Sequence, residues 1–131
     1  MYEYQSKKIE TLEELEDVCR KTTSYFVGAF MLEMIVKRKE WENPETKNAF
    51  VDYMFTEYLY HWPKSRVRNR INLLIRIIES NMVEKALEYV AGANPHKLDD
   101  PEIIKYAEDT LNMIKTGKLD VKNGVIHYER K

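Results

Sequence analysis

Residues 65–92 read SRVRNRINLLIRIIESNMVEKALEYVAG, and the spacing of their apolar residues decides the fold class. Val67, Ile71, Leu74, Ile75, Ile78 and Met82 recur at helical steps, which a 3.6-residue period brings onto one face. Ala86, Leu87 and Val90 continue the stripe to Gly92, which reads as a left-handed C′ stop. The spacing therefore predicts one long helix from about Ser65 to Gly92.

Working outward, the chain on both sides is punctuated in the same way. Thr11 followed by Glu14 is a capping-box pattern, and Leu12, Leu15, Val18, Cys19, Thr22, Phe26, Ala29 and Phe30 recur behind it at helical spacing. Met34 and Ile35 extend that stripe, giving one long helix or two joined at Thr22-Thr23-Ser24. Asn43-Pro44-Glu45 opens the next helix with a capping side chain, a proline at the first helical position and an acid in the first turn. Ala49, Phe50, Tyr53, Met54 and Glu57 carry it toward Pro63, which biases Trp62 out of the α region and predicts an end near His61. Asp100-Pro101-Glu102 starts a last helix with Ile103, Ile104, Ala107, Leu111 and Ile114 inward and Gly117 at its end. In the closing LDVKNGVIHY, Asn123-Gly124 suits a type I′ turn, pairing Val121 with Ile126, Asp120 with His127 and Leu119 with Tyr128. A lone hairpin is marginal in water, so its apolar face must rest on the helices or on a second copy of the chain. The expected fold is mainly α: one compact helical domain over residues 1–131, of four to five helices with a C-terminal β-hairpin at about 118–128.

Composition narrows the function classes. A chain of 131 residues that is 44% hydrophobic can bury a core without disulfides or metal, and a single cysteine, Cys19, points to a reducing compartment. No apolar run reaches the roughly 20 residues of a membrane span, and the first residues are too charged for a signal sequence, so a soluble cytoplasmic protein is expected. His61, His96 and His127 lack ligand spacing, and no glycine-rich phosphate loop or nucleophile elbow occurs. Asp99, Asp100 and Glu102 are better explained by capping the last helix than by holding a metal. The expectation is a protein with no catalytic residues, no cofactor and no metal.

Charge is where the sequence departs from the ordinary. Lys64, Arg66, Arg68, Arg70 and Arg76 follow one another with no carboxylate between Glu57 and Glu79, in a chain of formal net charge -1. A helix start carries partial positive charge and normally attracts Asp or Glu, so these cations oppose the helix dipole. Tyr58, Tyr60 and Trp62 precede them, and Lys37, Arg38 and Lys39 with Trp41 repeat the pairing of cations and rings. Lys115, Lys118, Lys122, Arg130 and Lys131 add a positive tail. A cationic surface beside aromatic faces suits single-stranded nucleic acid, which releases counterions to cations and stacks its bases on rings. The candidate nucleic-acid-binding residues are Lys37, Arg38, Lys39, Trp62, Lys64, Arg66, Arg68, Arg70 and Arg76. The competing reading pairs these cations with acids elsewhere: residues 1–57 carry 8 basic and 12 acidic groups, and residues 79–109 carry 3 and 8. A helical protein-interaction module, such as a virus-encoded inhibitor, adaptor or virion component, then becomes the alternative.

The length, the helical character, the closing hairpin and the HWPKSRVRNR run together resemble the small single-stranded-DNA-binding proteins of rudiviruses, archaeal rod-shaped viruses. That resemblance implies a protein without the five-stranded oligonucleotide barrel, acting as a homodimer with a path for single-stranded DNA across it. It further implies a place in viral genome replication or recombination in the host cytoplasm, with other proteins of those processes as partners.

Overall fold

The computed structural model describes residues 9–22, 24–94 and 101–127. Thr11 starts the first helix as its pattern predicts: the Glu14 N–H donates to the Thr11 hydroxyl at 3.2 Å, and that hydroxyl donates to the Glu14 carboxylate. Helices follow in the order α1 (Leu12–Thr22), α2 (Ser24–Val36), α3 (Arg38–Glu42), α4 (Pro44–Tyr58), α5 (Lys64–Glu79), α6 (Val83–Ala91) and α7 (Glu102–Lys115). Strands β1 (Leu119–Asp120) and β2 (Val125–Ile126) close the described chain as an antiparallel pair. The fold is mainly helical with a C-terminal hairpin, in agreement with the expectation.

The core forms around α2, which carries apolar residues on nearly every side, Glu33 being its one charged residue. Phe26, Val27, Phe30, Met31, Met34 and Ile35 are each at most 6% exposed, enclosed by α1, α5, α6, α7 and β2. A helix with so little polar surface has to lie largely enclosed by its neighbours. Gly28 brings α2 closest to α7, since a Cβ there would lie 2.9 Å from the Cβ and carbonyl oxygen of Ile103. Cys19 is buried among these helices, and burial, then the Glu16 charge, push its thiol up to about 12. It is a core residue and not a nucleophile.

Several expected boundaries move. The single helix over residues 65–92 is two helices, broken at Ser80-Asn81-Met82. Asn81 adopts φ 58°, its N–H donates to the Ile78 carbonyl, and the Met82 N–H donates to the Ile77 carbonyl, both at 3.1 Å. This is a Schellman ending with asparagine at C′. Ser80 in turn accepts the Ile9 N–H at 2.8 Å, tying the chain before α1 to the break. Gly92 has φ −87°, so α6 stops there without the left-handed turn expected of it, whereas Gly117 ends α7 at φ 79°. Helix α4 is capped by Asn43, which accepts the Glu45 N–H at 2.9 Å, but ends at Tyr58, because Leu59 turns into the core at 2% exposure. Leu12 is 55% exposed; Ile9, upstream of the cap, takes the buried place. The Asp99 and Asp100 caps and His96 lie outside the described residues.

The hairpin register also differs. Leu119 pairs with Ile126 and Asp120 with Val125, which leaves four residues in the loop. Asp120 caps that loop, accepting the Asn123 N–H at 3.1 Å and its side-chain amide at 2.7 Å, while Gly124 alone has positive φ, 67°. A type I′ turn needs positive φ at both central residues, so Asn123-Gly124 does not form one. Gly124 also sits against α2, where a Cβ would meet the Ile35 carbonyl oxygen at 2.4 Å. The apolar Leu119 is buried against α7, so the hairpin rests on the chain's own helices.

Candidate nucleic-acid interface

Helix α5 opens after Pro63 with no side-chain cap and no acid in its first turn. Its cations do not remain together. Lys64 forms an ion pair with Asp52 of α4, and Arg68 donates to the Asn48 amide oxygen at 2.8 Å, also on α4. Arg66 lies on another side, its guanidinium 5.8 Å from the centre of the Trp62 ring. Arg70 has a buried Nε without a hydrogen-bond partner, and burial, then the Arg66 charge, lower its pKa. Arg76 is half-buried toward the end of the helix. Heptad-like flanking positions explain the split: Lys64 and Arg68 are one turn apart on one side of the apolar stripe, and Arg66 and Arg70 one turn apart on the other.

The second expected cluster also divides. Arg38 is a structural clamp: its Nε donates to Glu42 at 2.9 Å and a terminal nitrogen donates to the Val121 carbonyl at 3.1 Å, joining α3 to the hairpin loop. Trp41 is 3% exposed and donates to the Met34 carbonyl at 2.7 Å, so it belongs to the core and offers no face for stacking. Lys37 keeps its ammonium 5.0 Å from the centre of the Tyr53 ring and 3.6 Å from a Glu40 oxygen. Lys39 is exposed.

Between Lys37 and Arg66 runs a chain of rings. Tyr53 and Tyr58 have centroids 6.0 Å apart, Tyr58 and Phe30 5.6 Å, Phe30 and Phe26 5.4 Å, and Phe26 and Trp62 5.1 Å. Tyr25 stands edge-on to both phenylalanines. The phenylalanines are buried and bind the row to the core, whereas Tyr25 at 37% and Tyr58 at 44% exposure, with half-buried Trp62 and Tyr53, present ring area to solvent. The Tyr58 hydroxyl lies 3.4 Å from that of Tyr53 and donates to Glu33 at 3.5 Å. The Tyr53 hydrogen bond first, then the Glu33 charge, push the Tyr58 phenol up to about 12, so it stays a neutral donor at physiological pH.

The row gathers aromatic residues from α2, α4 and the α4–α5 loop, and it bridges the two cationic regions that the sequence left apart. Tyr25, Phe26 and Phe30 were absent from the expected site, because an apolar stripe on a helix reads as core whether or not its edge reaches the surface. Among the described residues no group of three or more His, Cys, Asp or Glu side chains is placed to hold a metal, and no helix is long and apolar enough to cross a membrane. No protein-family model, curated protein or solved structure matches the chain.

Proposed function

We propose that this protein binds single-stranded DNA without sequence preference, laying bases on the Tyr25–Tyr58–Trp62 ring row and phosphates on Lys37, Lys39, Arg66 and Arg70. One observation carries the proposal: ring contacts run unbroken from Lys37 to Arg66 through the buried Phe30 and Phe26, and Tyr58, Tyr25, Tyr53 and Trp62 bring ring area from that row to the surface. Rings have a π-face for any base, and cations neutralise any phosphate, so such a surface favours strands over sequences. The role we propose is binding and not catalysis, and the resemblance to rudivirus proteins supports a part in genome replication or recombination in the host cytoplasm. Glu33 and Glu40 sit beside the row and limit its affinity, while the sensitivity of binding to salt comes from the cations that replace counterions on the strand.

A homodimer belongs to the same proposal. Its purpose is to lengthen the path for the strand, since Leu119 of the hairpin is already covered within one chain. Light scattering should return twice the chain mass of 15.7 kDa, and a monomer mass at micromolar concentration refutes the dimer.

The binding test is a gel shift with labelled oligo(dT), blunt duplex and RNA across a salt series. Tighter binding of oligo(dT) than of duplex supports the proposal. No binding of any nucleic acid at about 50 mM salt, where phosphate contacts are strong, overturns it and leaves the protein-interaction module as the better reading.

A further inference from the structure

Helices α4 and α5 are joined by two polar bridges that use no carboxylate. The Lys47 ammonium donates to the Asn72 amide oxygen at 2.7 Å, and Arg68 donates to the Asn48 amide oxygen at 2.8 Å. Lys47 and Asn48 are neighbours on α4, and Arg68 and Asn72 are one turn apart on α5, so the bridges lie side by side. Each amide oxygen is occupied by a cation. What remains is rich in donors: two amide NH₂ groups, the other ammonium protons and the rest of the guanidinium fork, against one further lone pair on each amide oxygen.

Two positive charges are held together here without a neutralising partner in contact. Burial first, then the Arg68 charge, lower the Lys47 pKa; Glu79 opposes them more weakly and forms no ion pair with Lys47 within 4 Å among the described contacts. Asp52, one turn along α4 from Asn48, is taken by Lys64. Aspartate at 48 or 72 would join the helices through stronger, charge-assisted bonds. Asparagine forgoes that strength and leaves the cluster with its full charge.

We propose that Lys47, Asn48, Arg68 and Asn72 form a cradle for a phosphate group. A guanidinium fork, an ammonium and two amide donors match the oxygens of a tetrahedral oxyanion. The cradle lies on the side of α4 that meets α5, while Tyr53 of the ring row meets Lys37 near the end of α2. It therefore stands independently of the single-strand proposal.

The test is an NMR titration that follows the backbone and side-chain amides of residues 48 and 72. The probes are inorganic phosphate in one arm and dimethyl phosphate in the other, at constant ionic strength with chloride as the control. Saturable shifts of both amide groups are expected, lost in Lys47→Met with Arg68→Met and kept in Arg66→Ala with Arg70→Ala. Saturation by both probes assigns the cradle to backbone phosphodiesters, and saturation by inorganic phosphate alone assigns it to a phosphomonoester or free phosphate. Should the methionine variant fail to fold, Asn48→Asp with Asn72→Asp keeps both bridges and cancels the charge; its backbone amides at 48 and 72, the probes that remain there, must then show no shift. Shifts that do not saturate, that chloride reproduces, or that survive the charge-cancelling variant overturn the cradle. No oligonucleotide enters this experiment, so failure of the ring-row proposal leaves its result intact.

Discussion

Replacing Arg66 and Arg70 by alanine separates a binding role from a folding role, because neither side chain makes an ion pair within 4 Å among the described contacts. Each single-strand phosphate contact contributes about 0.7 to the slope of log affinity against log salt, so the double variant should flatten that slope by about 1.4. The same relation makes the loss itself salt-dependent: about 25-fold weaker binding at about 0.1 M salt and about 5-fold at about 0.3 M. Stability should barely change. Arg66 gives up an exposed cation–π contact worth about 0.5–1 kcal/mol, and Arg70 has no hydrogen bond at its buried Nε to lose. For a chain of this size the melting temperature should fall by less than about 5 °C. Fluorescence anisotropy with labelled oligo(dT) across a salt series, and a thermal melt on the same samples, measure both quantities. An unchanged slope with a melting temperature lowered by more than about 10 °C would show that the arginines serve the fold, and would refute the reasoning.

Further expectations concern the scaffold. Gly124→Ala should destabilise the protein far more than Gly117→Ala: both have positive φ, a penalty of about 1–2 kcal/mol each, but only residue 124 would also drive a Cβ into the Ile35 carbonyl. Equal losses in chemical denaturation would contradict the close packing of the hairpin on α2. Asn81→Ala should cost about 1 kcal/mol, and Asn81→Gly little or nothing, since the break between α5 and α6 needs a residue that tolerates the left-handed region. A uniform response to both changes, read by thermal melting, would argue for one continuous helix. Tyr58, with its phenol raised to about 12, contributes stability that is complete below about pH 10, the unfolded value, and is lost as pH rises through the folded value. Tyr58→Phe should remove that part of the alkaline loss, and an unaltered alkaline profile would count against the Tyr53–Tyr58–Glu33 contact.

Most helix ends were legible in the sequence where a local rule decides them, the exception being Gly92, which ends α6 without the left-handed turn expected of it. Thr11 with Glu14, Asn43 with Pro44, and Gly117 act within a turn of their own position, and all three hold. The break at Asn81 was hidden because Met82 and Ala86 continue the periodicity of Ile78 across it, while the left-handed turn depends on a single backbone angle. The hairpin register failed for a related reason. Asn-Gly favours a two-residue turn in isolation, but the Asp120 carboxylate closes a longer loop that lets Gly124 press against α2. At the candidate site, the excess of cations was visible and their destinations were not. Lys64 and Arg68 differ from Arg66 and Arg70 only by the side of α5 they occupy, and what lies on each side is set by tertiary packing. Trp62 and Trp41 look alike beside their basic runs, yet the Trp41 indole packs inside, where its N–H donates to the Met34 carbonyl near the end of α2.

That difference between the two tryptophans offers the most direct measurement of the central claim. Trp41 is buried at 3% exposure, whereas half-buried Trp62 lies at the end of the ring row under Arg66, so a base stacking on the row should be reported by Trp62 alone. Titrating the protein with oligo(dT) while recording tryptophan emission should give a saturable quench that disappears in Trp62→Phe and persists in Trp41→Phe. Binding of oligo(dT) without a change in Trp62 emission, or a quench produced only by duplex, would contradict the account.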